Sequence, residues 1–216
     1  MKKSNQPTPS LSYLPQDILS KILGLAGQTS RVDVKNAMLT CKVLGKSADD
    51  VQVLATLELN DIVKTPLLAI GNYTDLLAKC LQHSNPSAHY IQGLLEYFYF
   101  GNPLEGLNHL KVAAKHKSPI KEAVYLYGII NLCTGEYEVG KEFLDKLGWK
   151  EDKSVADLCW KNIKTGVHGI GIIRKPEYAH SLWAMMPPYV CNLNDMENTC
   201  EKCYYYKQMI KFVYTI

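Results

Sequence analysis

An internal repeat with a period near 34 residues constrains this chain more than any other feature. Ala88-x-Tyr90-x-x-Gly93 recurs as Ala123-x-Tyr125-x-x-Gly128, 35 positions on, and Gly101, Gly106 and Leu110 recur as Gly135, Gly140 and Leu144 at an offset of 34. Such a period belongs to arrays of helix–turn–helix units, each burying its apolar face against the next. The punctuation fits. Asn85-Pro86, Asn102-Pro103 and Ser118-Pro119 each pair an N-cap residue with Pro at the first helical position. Gly101, Gly135 and Gly148 stand where helices end in the left-handed conformation. The expected helices cover about 86–100, 103–116, 119–133 and 136–147, and links this short force antiparallel neighbours.

Small residues recur with the period. A Gly inside a helix costs about 1 kcal/mol relative to Ala, so its repetition at Gly93, Gly106, Gly128 and Gly140 points to close helix approach. Tyr90, Tyr97, Tyr125, Tyr127 and the Phe98-Tyr99-Phe100 run supply bulk for the opposing spaces. Two copies fall short of the roughly three units a free-standing array needs. Capping helices are therefore expected within 61–82, with Leu67, Leu76, Leu77 and Cys80, and within 153–165, with Val155, Leu158, Cys159 and Ile163. Through the repeated Ala-x-Tyr-x-x-Gly motif, Gly101, Gly135 and the Ala113-Ala114 pair, the block resembles the Sel-like subfamily of tetratricopeptide-type repeats. The resemblance implies an all-α solenoid.

A second pattern precedes the repeats: Leu14-Pro15-Gln16-Asp17-Ile18-Leu19-Ser20-Lys21-Ile22-Leu23. Pro15 suits a first helical position and Asp17 a first turn. Ile18, Leu19, Ile22 and Leu23 form an apolar face with Leu14 just ahead of it. Ser30, with Asp33 three residues on, reads as the next N-cap, and Val34, Ala37, Met38 and Cys41 make another stripe. Three helices this short cannot bury so many aliphatic side chains alone. The surplus calls for a partner.

Residues 11–54 resemble the F-box through Leu14-Pro15-x-Asp17-Ile18-Leu19-x-x-Ile22-Leu23 and Cys41-Lys42-Val43. The resemblance implies that Leu14, Pro15, Ile18, Leu19, Ile22, Leu23, Cys41 and Val43 dock a Skp-type adaptor, and through it a cullin. An F-box followed by these repeats is also similar to a group of plant F-box proteins with Sel-like helices, including their Cys-rich tail.

Composition narrows the alternatives. Net charge is +3 with the lysines scattered, so nucleic acid is not the expected partner. No stretch approaches 18 uncharged apolar residues, so no membrane span is expected. Met1–Ser10 has no apolar run and reads as a disordered tail rather than a signal peptide. Seven cysteines is an odd number, and Cys41, Cys80, Cys133 and Cys159 fall in apolar helical contexts. This usage fits free thiols in the cytoplasm or nucleus.

Signals for catalysis are weak. His168-Gly169-Ile170-Gly171 lacks the preceding strand and third Gly of a dinucleotide loop. The six histidines show no H-E-x-x-H spacing, and no nucleophile motif is present. Cys200-Glu201-Lys202-Cys203 has the spacing with which two thiolates grip zinc, and His180, Cys191, Cys159 and His168 are the further ligand options. One pair plus strays reads as free thiols, and no catalytic, cofactor-binding or metal residue is assigned.

The expected architecture is all-α: a three-helix F-box over 11–54, a connector over 55–66, repeats over 67–165 and an irregular Cys/Tyr-rich tail over 166–216. The expected role is that of a substrate receptor, not an enzyme, in a Skp–cullin–F-box ubiquitin ligase. The repeats would hold an unidentified protein target near the ubiquitin-charged enzyme, with proximity supplying the rate. A repeat scaffold outside any ligase is the alternative, and it would bury Leu14, Ile18 and Ile22 against its own repeats. A metal-dependent module on the Cys tail is a third reading. Because Pro66 biases Thr65 away from helix, the two units are expected to separate there, with the fragment from about residue 67 folding alone.

Overall fold

Apolar periodicity near 3.6 along most of the chain becomes helix throughout. A computed structural model describes residues 11–170, 175–187 and 189–215, and these hold fourteen α-helices and no strand. The expected N-terminal tail, 1–10, lies outside the described residues, as does Gly171. No helix among the described residues is long and apolar enough to cross a membrane.

The first unit comprises α1 (Gln16–Gly27), α2 (Arg31–Thr40), α3 (Lys42–Ala48) and α4 (Val51–Leu54). Pro15 stands immediately ahead of α1, one position earlier than its sequence signature predicts. Ser30 caps α2 as expected, its Oγ accepting the Asp33 N–H at 3.1 Å. Next come α5 (Asn60–Lys64), α6 (Leu68–Gly71) and α7 (Thr74–Gln82).

Two helix pairs then carry the repeat. The first is α8 (Pro86–Leu94) with α9 (Pro103–Lys115), the second α10 (Lys121–Cys133) with α11 (Tyr137–Asp145). Asn85 caps α8, its side-chain oxygen accepting the N–H groups of Ser87 and Ala88 at 3.0 and 3.2 Å. A π-turn over Leu95–Tyr99 prolongs α8, and the Phe100 N–H reaches the Leu95 carbonyl at 2.8 Å. Gly101 and Gly135 end the first helix of each pair at φ of 74° and 95°, conformations costly for any residue with a Cβ. Ser118-Pro119 does not cap α10, which starts two residues after Pro119. The Ser118 N–H is taken by the His116 ring instead.

Helix α10 is the axis of the molecule. Every residue from Ala123 to Cys133 is buried, because α9, α11, α12 (Ser154–Val167), α13 (Pro176–Ala184) and α14 (Tyr204–Thr215) all pack against it. The last two helices correct the expectation of an irregular tail over 166–216. Tyr204, Met209 and Phe212 are fully buried, Trp149 stacks on Tyr204 with ring centroids 3.9 Å apart, and the Tyr125 hydroxyl donates to Gln208 at 2.9 Å. The hydroxyls of Tyr97 and Tyr178 meet at 2.6 Å. Burying one such aromatic contributes roughly 1.5–3 kcal/mol, so this segment closes the solenoid end that the repeats leave open.

The connector also differs from expectation. Leu57, Leu59 and Ile62 are buried in one core with Leu23, Val34 and Leu54 on one side and Leu77, Ala88, Ile91 and Leu95 on the other. Asn85 donates from Nδ2 to the carbonyls of Leu54 and Leu57 at 2.9 and 3.0 Å. In addition, α5 packs on α8 and α12. Residues 55–66 are a seam, not a loose link, because Leu57, Leu59 and Ile62 fill the gap between the two units.

Candidate partner-binding surface

Helix α1 carries apolar residues on two sides, and the structure sends them in opposite directions. Leu19, Leu23 and Gly27, four residues apart, face inward and are buried. Gly24 brings α1 close to α4, since a Cβ there would lie 3.0 Å from the Gln52 carbonyl oxygen. The Glu58 N–H donates to the Gly27 carbonyl at 2.7 Å and fixes the far end. At the near end, Gln16 donates from Nε2 to Ser47 Oγ at 2.8 Å, while that hydroxyl donates to the Val43 carbonyl at 3.0 Å. Helix orientation is thereby set by α3 and α4.

The other side of α1 meets solvent. Leu14, Ile18 and Ile22 are 38%, 41% and 38% exposed, and Leu25 continues the stripe. Pro15 and Val43 are exposed as well, and Cys41 is half-buried in an extended link between α2 and α3. Of the eight residues assigned to docking by resemblance, Leu19 and Leu23 are therefore corrected: they build the interior that supports the face. The apolar stripe was wider than the helix side facing either neighbour, so sequence alone did not divide it. Exposed Leu25, Met38 and Leu39 were missed as surface candidates, although Leu25 sits at the i+7 position from Ile18, a spacing that could have flagged it.

A cleft of about 480 Å³ lies between this unit and α7, lined by Arg31, Val34, Met38, Leu54, Tyr73 and Lys79. Arg31 packs over the Tyr73 ring at 4.6 Å and pairs with Asp61 at 3.6 Å.

The cysteines divide into two kinds. Burial pushes the Cys80 thiol up to about 11 and Cys133 higher still, the state of inert core thiols. Cys191, Cys200 and Cys203, by contrast, come together between α13 and α14, with Cys200 exposed, Cys191 half-buried and Cys203 buried. There the backbone N–H of Lys202 and the neighbouring Cys203 thiol hold Cys200 down to about 7. His180, Cys159 and His168 are not part of this group.

A family model described as plant tetratricopeptide repeats matches residues 64–168. An F-box protein of Arabidopsis thaliana is 41% identical over 139 residues, spanning 64% of this chain and 83% of that protein. A putative F-box protein of the same plant is 31% identical over 134 residues, covering 62% of this chain and 44% of that protein. No solved structure matches the chain.

Proposed function

We propose that this chain, which belongs to the plant F-box proteins and carries tetratricopeptide-type helical repeats, is the substrate-recognition subunit of a Skp–cullin–F-box ubiquitin ligase. The observation that carries this reading is the solvent-facing row Leu14, Ile18 and Ile22 on a helix whose opposite side is locked into the protein core. Aliphatic residues repeated at i and i+4 on a rigid helix suit a partner groove, where burial of each contributes roughly 1.5–3 kcal/mol. A scaffold working outside a ligase would have covered that row with its own repeats. Exposure of the row favours the adaptor reading over that alternative.

In this reading Leu14, Pro15, Ile18 and Ile22, with Cys41 in the link ahead of α3 and Val43 in the first turn of α3, meet the Skp-type adaptor, which links the chain to a cullin. The repeat surface presents an unidentified target protein. Because α1 and the solenoid share a core through Leu57, Leu59 and Ile62, the target is held at a fixed distance from the adaptor rather than on a loose tether. Rate gain then comes from positioning, with no chemistry asked of this chain. Its place of action is the cytoplasm or nucleus, where the buried free thiols Cys80 and Cys133 stay reduced.

Co-expression with a plant Skp-type adaptor and a cullin, followed by gel filtration, tests the reading. Co-elution of all three chains is expected. Elution of this chain apart from the adaptor would refute it.

A further inference from the structure

The loop between α13 and α14 gathers three thiols for which adaptor docking has no use. Cys191 Sγ lies 3.8 Å from Cys200 Sγ, which lies 3.6 Å from Cys203 Sγ, and all three sulfurs fall within 4.8 Å of one another. A disulfide would need about 2.05 Å. Sulfurs bound to one tetrahedral zinc, each about 2.3 Å from the metal, stand about 3.8 Å apart. We propose that Cys191, Cys200 and Cys203 form a zinc site, with a water from the adjoining cleft as fourth ligand.

The surroundings suit a metal thiolate. The Cys200 N–H points at Cys203 Sγ at 3.3 Å, an arrangement that stabilises charge on sulfur. Three thiolates and one Zn²⁺ carry a net charge of −1, and the cleft beside them, about 690 Å³, is walled by Lys153, Lys202 and Lys207. Its single carboxylate among the described residues, Glu201, is paired with Lys150 at 2.6 Å. Lys207 is 1% exposed and donates from Nζ to the carbonyls of Asp195 and Asn198. It thereby fixes the chain that crosses from Cys191 to Cys200. On binding, each thiol gives its proton to solvent and no electron is transferred. Soft thiolate donors select zinc over magnesium or calcium.

The site has a structural consequence. Cys203 immediately precedes α14, the helix that seals α10, whereas Cys191 belongs to the segment leaving α13. Zinc joins the two across a loop whose Met186, Tyr189 and Val190 stay exposed.

The test uses the full chain, expressed with added zinc and purified without chelator under reducing conditions. Elemental mass spectrometry should find about one zinc per chain, and cobalt substitution should give a thiolate-to-metal charge-transfer band. Cys191→Ser and Cys200→Ser should each weaken zinc binding at least tenfold in a chromophoric chelator competition, while Cys41→Ser should leave it unchanged. Cys200 is exposed, so its variant folds even where a substitution at buried Cys203 does not. Three results would each overturn the site. They are zinc well below one per chain, a cobalt spectrum without the thiolate band, and zinc retained by Cys200→Ser. Peptide mapping that joins two of these cysteines in a disulfide in the protein under reducing conditions would do the same.

Discussion

Gly128 and Gly140 approach across α10 and α11 so closely that each backbone occupies the other's side-chain space. A Cβ on Gly140 would stand 2.8 Å from the Gly128 carbonyl oxygen, and one on Gly128 would stand 3.1 Å from the Gly140 carbonyl oxygen. The earlier pair repeats this, with a Cβ on Gly93 falling 3.1 Å from the Gly106 carbonyl oxygen and 2.8 Å from Leu110. Thus the 34-residue period in sequence is a period of helix contacts.

These contacts differ in how far the neighbour must give. A Cβ on Gly106 would meet the backbone N and Cα of Tyr97 at 2.7 and 2.8 Å, whereas one on Gly128 would meet nothing nearer than 3.1 Å, at the Gly140 carbonyl oxygen and the Leu144 side chain. Gly106→Ala is therefore expected to cost about 1–3 kcal/mol. For Gly128→Ala the strain is smaller and offset by roughly 1 kcal/mol of helix propensity. Urea melts followed by circular dichroism rank the two. Equal midpoints would contradict the assignment of Tyr97 as the rigid neighbour.

Asn85 ties the seam to the first repeat by donating to Leu54 and Leu57 while capping α8. Replacing it with Ala orphans two carbonyls and removes a cap. The expected loss is on the order of 2–4 kcal/mol. Thermal unfolding should remain a single cooperative transition by both circular dichroism and tryptophan fluorescence, since the first unit and the first repeat share one core. Two separate transitions in the parent chain would restore the picture of independent units.

At the opposite end, Phe212 is buried among Trp160 and Tyr178. Phe212→Ala should cost about 3–5 kcal/mol. A variant that melts like the parent would mean that α14 does not close the solenoid.

How far the sequence led depends on what fixed each element. Glycines at helix ends and crossings were legible, because their requirement is local and steric. The seam was not: Leu57, Leu59 and Ile62 fall in a stretch ending at Pro66, which reads as a linker until both neighbouring units are in place. Helix α14 had a signal, with Tyr204, Gln208 and Phe212 four residues apart, but the Cys-rich run ahead of it drew attention instead. At the candidate surface, the sequence identified the helix and the apolar residues without separating Ile18 and Ile22 from Leu19 and Leu23. The packing of α2, α3 and α4 on one side of α1, with Gly24 set against α4, makes that separation. Cys200 and Cys203 were paired by spacing, whereas Cys191 joins them only once the loop turns back.

Acid should weaken the fold through His89. Its Nδ1 lies 2.9 Å from Nδ1 of His109, whose Nε2 faces Glu105 at 3.4 Å. Desolvation, then the charges of His109 and His116, hold His89 down to about 4, against 6.5 for the free side chain. Between those values the unfolded chain binds a proton that the folded chain refuses, so stability rises with pH. The contribution is complete above about 6.5 and is lost as pH falls toward about 4. Urea midpoints at pH 7 and pH 4.5 should differ less for His89→Asn than for the parent. An identical drop in both would contradict this.

Adaptor docking through the outer face of α1 is tested most directly by calorimetric titration of a purified Skp-type adaptor into the full chain and into the double variant Ile18→Asp, Ile22→Asp. Both positions are about two-fifths exposed, so the variant should melt within about 1 kcal/mol of the parent. Two charges placed in an apolar interface should weaken binding at least a hundredfold, a loss of about 2.7 kcal/mol. Binding by the folded double variant as tight as that of the parent would show that α1 is not the docking face.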